Sequence, residues 1–204
     1  TYTNPQQDNY YWADDELITF TNEDGQKLEG RLLYPANYDP DKKYPMITYI
    51  YEDRSQTMHS YNIPTKRSPY NRRRYSSDGY FVFQPDITYE LSDPGVSAVE
   101  SVVPAVNKVI ETGMVNEDQL GLTGHSWGAY QTSFIVTQTD LFNSAVAGAP
   151  LTNMISMYNS IYWNTGTTDA KIFETSQGRF PDPWWKDWDN FVENSPIFNM
   201  QDMN

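Results

Sequence analysis

The stretch Gln119-Leu120-Gly121-Leu122-Thr123-Gly124-His125-Ser126-Trp127-Gly128, continued by Ala129 to Gln138, decides how this chain folds. Residues 119–123 read as a short buried strand, and 127–138 as a helix. Between them lies a Gly-x-Ser-x-Gly pentapeptide. Alone it is a weak signal. At a strand-to-helix junction it is the setting of a nucleophile elbow, a tight turn that strains one serine and lifts its hydroxyl above the sheet edge. The residues two before and two after must be tiny, because strand and helix backbones nearly touch there. Gly124 and Gly128 meet that demand. The first amides of a helix have no intrahelical acceptor, so the Trp127 amide can donate to an oxyanion. A serine capping an ordinary helix is the competing reading. The paired glycines favour Ser126 as a nucleophile.

Outward from the elbow the pattern alternates. Tyr80 to Asp86 is an apolar run of strand length, Ser97 to Thr112 has helical spacing of Ala98, Val99, Val102, Val103, Val106, Val109 and Ile110, and Phe142 to Pro150 reads as a small-residue strand. Pro104 interrupts that helix and Gly113 fits its stop. Strand, helix, strand, helix, strand is the signature of a parallel sheet with covering helices. Upstream, residues 17–21 and 27–34 flank the turn Asn22 to Gly25 as a hairpin, and Pro45 to Tyr51 reads as another buried strand. The fold class is therefore α/β, an α/β-hydrolase plan with a mostly parallel sheet flanked by helices. Residues 1–16 read as a lead-in and 17–204 as a partial domain with the C-terminal part of the fold missing. Trp184, Trp185 and Trp188 read as a packed helix face.

Composition narrows the function. Hydrophobic residues make up 38% and aromatics 15% of 204 residues, enough for one packed domain. A formal net charge of -13 argues against nucleic acid. The one basic cluster, Lys66, Arg67, Arg72, Arg73 and Arg74, reads as a solvated loop. No cysteine is present, which removes thiolate chemistry and leaves the compartment open. No apolar run is long enough to span a bilayer. The polar N-terminus has no start Met and no signal peptide, as in an internal or processed piece. Two scattered histidines, His59 and His125, offer no metal-ligand spacing, and no cofactor motif is present.

The sequence resembles the catalytic domain of prolyl oligopeptidase-family serine peptidases, with their dipeptidyl-peptidase and acylaminoacyl-peptidase branches. The likeness covers residues 17–200 and rests on Phe20 to Gly25, Leu28-Glu29-Gly30, Leu33-Tyr34-Pro35, Lys43 to Tyr51, Gly79 to Asp86, Gly124 to Tyr130 and Ala147 to Pro150. The resemblance implies peptide-bond hydrolysis through an acyl-enzyme on Ser126. It makes the Tyr51 hydroxyl a second oxyanion donor beside the Trp127 amide. A buried tyrosine with a structural hydrogen bond is the other reading of Tyr51. It implies a pocket for the residue preceding the cleaved bond, formed by Leu151, Met154, Tyr158 and Tyr162, for which core packing is the alternative. It also implies a β-propeller before Thr1, leaves room for a homo-oligomer, and favours a periplasmic or secreted location. The chain departs from the family in having Glu52-Asp53-Arg54 where a Gly-containing turn usually follows the tyrosine. Ala129 stands where a second glycine is common.

A serine nucleophile needs a base, which in this fold follows it in sequence, and neither histidine follows Ser126. His125 sits inside the elbow with its side chain expected to point away, and His59 reads as solvated or locally bonded. The triad acid and histidine are expected beyond a segment resembling Glu193 to Phe198, so residues 1–204 alone are expected to be inactive. A carboxylesterase, or a binding domain that retained the elbow, are the alternatives to a peptidase.

Overall fold

The structure, a computed structural model, describes residue 5 and residues 12–60, 62 and 65–203. The expected lead-in lies outside these except for residues 5 and 12–16, of which Asp15 and Glu16 already belong to the first strand.

Six strands form one sheet: β1 (Asp15–Thr21), β2 (Lys27–Leu33), β3 (Tyr44–Ile50), β4 (Phe81–Pro85), β5 (Val115–His125) and β6 (Ser144–Gly148), in the order β1-β2-β4-β3-β5-β6. The β1–β2 hairpin is antiparallel, and β2 meets β4 antiparallel with Leu32 opposite Phe83. From β4 onward every pairing is parallel, with Ile47 opposite Val82, Ile50 opposite Gly124 and Gly124 opposite Ala147. Neighbouring parallel strands need crossovers, and helices supply them. These are α1 (Arg72–Ser77), α2 (Pro94–Ile110) and α3 (Trp127–Ile135). Beyond β6 come α4 (Met154–Tyr158), a small hairpin β7 (Ile161–Tyr162) and β8 (Thr167–Thr168), α5 (Ala170–Thr175) and α6 (Trp188–Glu193).

Alternation along β3 assigns the faces. Met46 and Ile50 point to the α2 side, where Phe81, Phe83, Leu120 and Leu122 meet Ala98, Val102, Val106 and Val109. Tyr49 points to the other side and joins Leu33 and Val82 under Tyr70 and Tyr75. Each fully buried Val, Leu, Ile, Met or Phe among these contributes about 1.5–3 kcal/mol. A second cluster joins Trp127, Tyr130 and Phe134 of α3 to Met154, Tyr158, Phe173, Phe180 and Phe191, and fixes the segment after β6 onto the elbow helix.

Several elements differ from the sequence reading. Helix α2 begins three residues early, because Pro94 suits a first turn whose amides have no acceptor. Pro104 lies inside it and cannot donate to the Glu100 carbonyl; the Glu23 amide of the β1–β2 turn does so instead, at 3.2 Å. Gly113 follows with φ of 75°, as a helix stop requires. The basic cluster is not a solvated loop throughout. Lys66 and Arg67 are exposed, but Arg72 to Arg74 open α1, capped by the Asn71 side chain. Arg73 pairs with Asp15 at 2.9 Å, and Arg72 lies 5.3 Å from the centre of the Tyr49 ring. Asp15 also pairs with the buried Arg31. Of the three tryptophans only Trp188 is helical. Trp184 packs inward, whereas Trp185 and Trp188 remain 60% and 52% exposed.

Candidate active site

Ser126 joins β5 to α3 with φ 56° and ψ −116°. A non-glycine residue held there costs on the order of 1–3 kcal/mol and persists only where its surroundings enforce it. The enforcement is visible. The Ser126 amide donates to the Gly148 carbonyl at 2.9 Å, and its own carbonyl accepts from the Ala129 and Tyr130 amides at 2.9 and 3.0 Å. A Cβ on Gly124 would lie 2.2 Å from the Gly128 carbonyl oxygen, and one on Gly128 would lie 2.2 Å from that of Ile50. Strand, elbow and helix therefore interlock through backbone where no side chain fits. Ser126 stays exposed at the carboxyl edge of the parallel strands, the edge where open α/β sheets place their sites.

Trp127, first in α3, is almost fully buried against Tyr130, with ring centroids 4.7 Å apart, which leaves its amide rather than its indole at the turn. Tyr51 comes directly after β3 and packs beside the same helix; one of its ring carbons is 3.4 Å from where a Gly128 Cβ would stand. Its hydroxyl accepts a hydrogen bond from Gln177 Nε2 at 3.0 Å, and the Arg54 guanidinium lies 4.7 Å from its ring centre. The Glu52-Asp53-Arg54 turn replaces glycine by other means. Glu52 itself takes φ of 45°, and Asp86 accepts from the Arg54 and Ser55 amides at 2.5 and 2.7 Å. Glu52 also pairs with Arg179 at 2.9 Å, whose guanidinium stacks 3.9 Å from the Tyr89 ring centre. Burial, with the Glu52 charge adding to it, pushes the Tyr89 phenol well above its ordinary range.

Beside Ser126 is a cavity of about 240 Å³ lined by Trp127, Ala149, Pro150, Leu151, Met157, Ile172 and Gln177. A larger hollow, about 550 Å³, lies at the opposite ends of the strands around Pro45, Met46 and Gln119, far along the sheet from the nucleophile candidate. The structure brings Leu151 to the wall of the smaller cavity. It does not bring Met154, Tyr158 or Tyr162 there. Met154 is fully buried, its amide bonded to Ser195 Oγ at 2.9 Å. Tyr158 packs on Phe173 and Phe191 and gives its hydroxyl to Glu174. Tyr162 is half exposed on β7. Sequence reading missed Met157, Ile172 and Gln177. Met157 carried no signal of its own, since it stands three residues after Met154, near the same face of one short helix. Gln177 had none.

Neither histidine is engaged with Ser126. His125 Nδ1 lies 3.2 Å from Tyr70 Oη, and His59 is exposed. Among the described residues no group of histidines and carboxylates is arranged to hold a metal, and no helix is long and apolar enough to cross a membrane. A further hub supports the site. Buried Asn194 accepts from the Gly95 amide at 2.7 Å, donates to the Ser92 and Asn190 carbonyls, and takes the Tyr130 hydroxyl on its own carbonyl at 2.9 Å.

The sequence model of the prolyl oligopeptidase family matches residues 91–204, more than half the chain and all of the elbow. The chain belongs to the prolyl oligopeptidase family. Among its relatives, an uncharacterized peptidase, YuxL, of Bacillus subtilis is 26% identical over 198 residues, covering 90% of this chain and 27% of its own. Prolyl endopeptidase FAP of Homo sapiens is 29% identical over 145 residues, covering 65% and 18%. Solved peptidase structures share the fold. A putative dipeptidyl aminopeptidase IV from Bacteroides ovatus superposes with a TM-score of 0.75 at 22% identity, covering 99% of this chain and 28% of its own. Pyrococcus horikoshii acylaminoacyl peptidase gives 0.76 at 17% identity, covering 100% and 33%. The chain thus spans 18–27% of the length of these curated relatives.

Proposed function

We propose that the intact protein is a serine peptidase and that Ser126 is its nucleophile. The observation that carries this reading is the strained Ser126 backbone at the carboxyl edge, locked between Gly124 and Gly128, in a chain of the prolyl oligopeptidase family. In the proposed reaction Ser126 Oγ attacks a peptide carbonyl and gives its proton to a base. The carbonyl oxygen becomes an oxyanion held by the Trp127 amide and the Tyr51 hydroxyl. The tetrahedral intermediate expels the amine, which takes the proton from the base, and water then releases the acyl group by the same steps reversed. Leu151, Met157 and Ile172 give the cavity an apolar wall suited to a proline- or alanine-sized side chain before the cleaved bond. Met154 and Tyr158 support that wall from the core behind it.

Neither His59 nor His125 is engaged with Ser126, and in the intact protein we assign the base and its acid to chain outside residues 1–204. A β-propeller ahead of Thr1 and a homo-oligomer belong to the same reading of the intact protein; the small share of its relatives that the chain covers leaves room for the propeller.

The test is Ser126→Ala in the intact protein, assayed on prolyl and alanyl anilides and with a fluorophosphonate probe. Turnover should fall by about 10⁶-fold, as when other serine nucleophiles are removed, and labelling should vanish. Undiminished turnover would refute the assignment. Comparing matched amide and ester substrates on the wild type separates a peptidase from a carboxylesterase, which would use the same elbow.

A further inference from the structure

We propose that Gln177 is a positioning residue for the oxyanion site, one that sets which way the Tyr51 hydroxyl donates. This rests on the peptidase reading of Ser126 and Tyr51.

A phenol has one proton to give and an oxygen that can accept. Gln177 Nε2 occupies the acceptor side of Tyr51 at 3.0 Å. With that side filled by a donor, the Tyr51 proton is left for another acceptor. Gln177 lines the same cavity as Ser126 and Trp127, so the group awaiting that proton is the oxygen of a carbonyl under attack. A donor on the phenol oxygen also polarises its O–H and strengthens the bond it gives.

The geometry is held independently of substrate. The Arg179 guanidinium donates to the main-chain carbonyl of Gln177 at 2.6 Å and pairs with Glu52 at 2.9 Å. Arg179 takes φ of 58°, and Gly178 packs so tightly that a Cβ would lie 2.5 Å from the Phe173 Cα. Two adjacent rungs therefore join the turn after β3 to the loop after α5: Tyr51 to Gln177 and Glu52 to Arg179. Glu52, which stands where the family usually has a Gly-containing turn, supplies one of those rungs.

The chemistry makes the substitutions distinguishable. Gln177→Glu keeps the shape but presents a carboxylate, which accepts a hydrogen bond from the Tyr51 hydroxyl instead of donating one to it. Gln177→Met keeps bulk and makes no hydrogen bond. In the intact protein, on a peptidyl anilide at neutral pH, Gln177→Met should lower kcat about tenfold with KM within about twofold. Gln177→Glu should lower it about a hundredfold, the scale of losing one oxyanion donor, and match Tyr51→Phe. In a Tyr51→Phe background neither Gln177 change should cost more than about a further twofold, since acting through Tyr51 leaves nothing more to lose.

Three results would overturn the proposal: wild-type kcat in both Gln177 variants, effects confined to KM, or losses that multiply with Tyr51→Phe. Full activity of Tyr51→Phe would overturn it as well. Should Gln177→Glu fail to fold by near-ultraviolet circular dichroism, Gln177→Met with and without Tyr51→Phe decides alone. Loss of the underlying reading shows separately, as persistent turnover in Ser126→Ala.

Discussion

Replacing Gly128 by alanine adds one methyl group at the tightest point of the elbow. The new Cβ would stand 2.2 Å from the Ile50 carbonyl oxygen, against an ordinary contact of 3.4 Å or more. One of the two must therefore retreat by roughly 1 Å, and both are backbone-anchored: Ile50 ends β3, paired with Gly124, and Gly128 lies in the first turn of α3. Forced repacking of this kind costs about 1–3 kcal/mol, and more where no flexible side chain can yield. A shift of about 1 Å at the nucleophile also costs on the order of 10²-fold in rate. Urea unfolding and anilide turnover of the intact protein measure the two effects. Gly25→Ala provides the control: that residue has φ of 79° but nothing within 4 Å of a new Cβ. It should lose only the left-handed penalty, about 1–2 kcal/mol, and keep full activity. If Gly128→Ala matched Gly25→Ala in both measurements, the close approach of strand and helix would not be what holds Ser126 in place.

Asn194→Ala should destabilise by about 3 kcal/mol or more, since it strands the buried Gly95 amide at the start of α2 and frees two carbonyl partners; an unchanged urea midpoint would contradict that role. Asp15→Ala leaves the guanidinium groups of Arg31 and Arg73 facing each other without their shared carboxylate, and should cost about 3–5 kcal/mol by the same measurement. The Glu100 carboxyl is held above its ordinary range, first by burial and then by Asp24, Asp93, Glu23 and Glu90. Its folded form keeps a proton that the unfolded chain has lost, so its contribution to stability falls as pH rises through the window just above the ordinary carboxylate range. Glu100→Gln should therefore raise the melting temperature at neutral pH and flatten its decline between mildly acidic and neutral pH; a lower melting temperature at neutral pH would reverse the sign of the argument.

What was legible in the sequence was what depends on neighbours along the chain. The elbow announced itself because its constraints fall within five residues. Strands β3 and β4 could be read because they lie inside the sheet and are apolar along nearly their whole length; β6, an exposed edge strand, was read from its run of small residues instead. Helix α1 gave no such signal: its Arg72-Arg73-Arg74 start has no apolar stripe, and the partner that anchors it, Asp15, lies 58 residues away. The length of β5 was hidden for a similar reason. Its first half, Asn116 to Gln119, is polar and partly exposed, and joins the ladder only through Tyr44 opposite Val115 across an irregularity in register. Pocket residues failed where two roles share one short helix. On α4, burial of Met154 and Tyr158 against α6 leaves Met157 for the cavity, and chemistry alone cannot tell which methionine faces which way.

Tyr51 and Ser126 are 75 positions apart, and register makes them neighbours. Parallel pairing sets Ile50 opposite Gly124. The residue after Ile50 and the residue two after Gly124 then leave the sheet at the same level of its carboxyl edge. Because side chains alternate along a strand, a slip of one residue in β3 would turn Tyr49 and Ile50 to the wrong faces and carry Tyr51 away from α3. Ile47, Thr48 and Tyr49 resist that slip, each paired with its partner in β5, with Tyr49 buried against Leu33 and Val82 on one face and Ile50 against the main core on the other. The apolar pattern that makes β3 a strand is thus also what brings a phenol to the elbow. Its hydroxyl is oriented by a different part of the chain, the loop after α5, so the position of Tyr51 and the direction in which it donates have separate structural origins and can be perturbed separately.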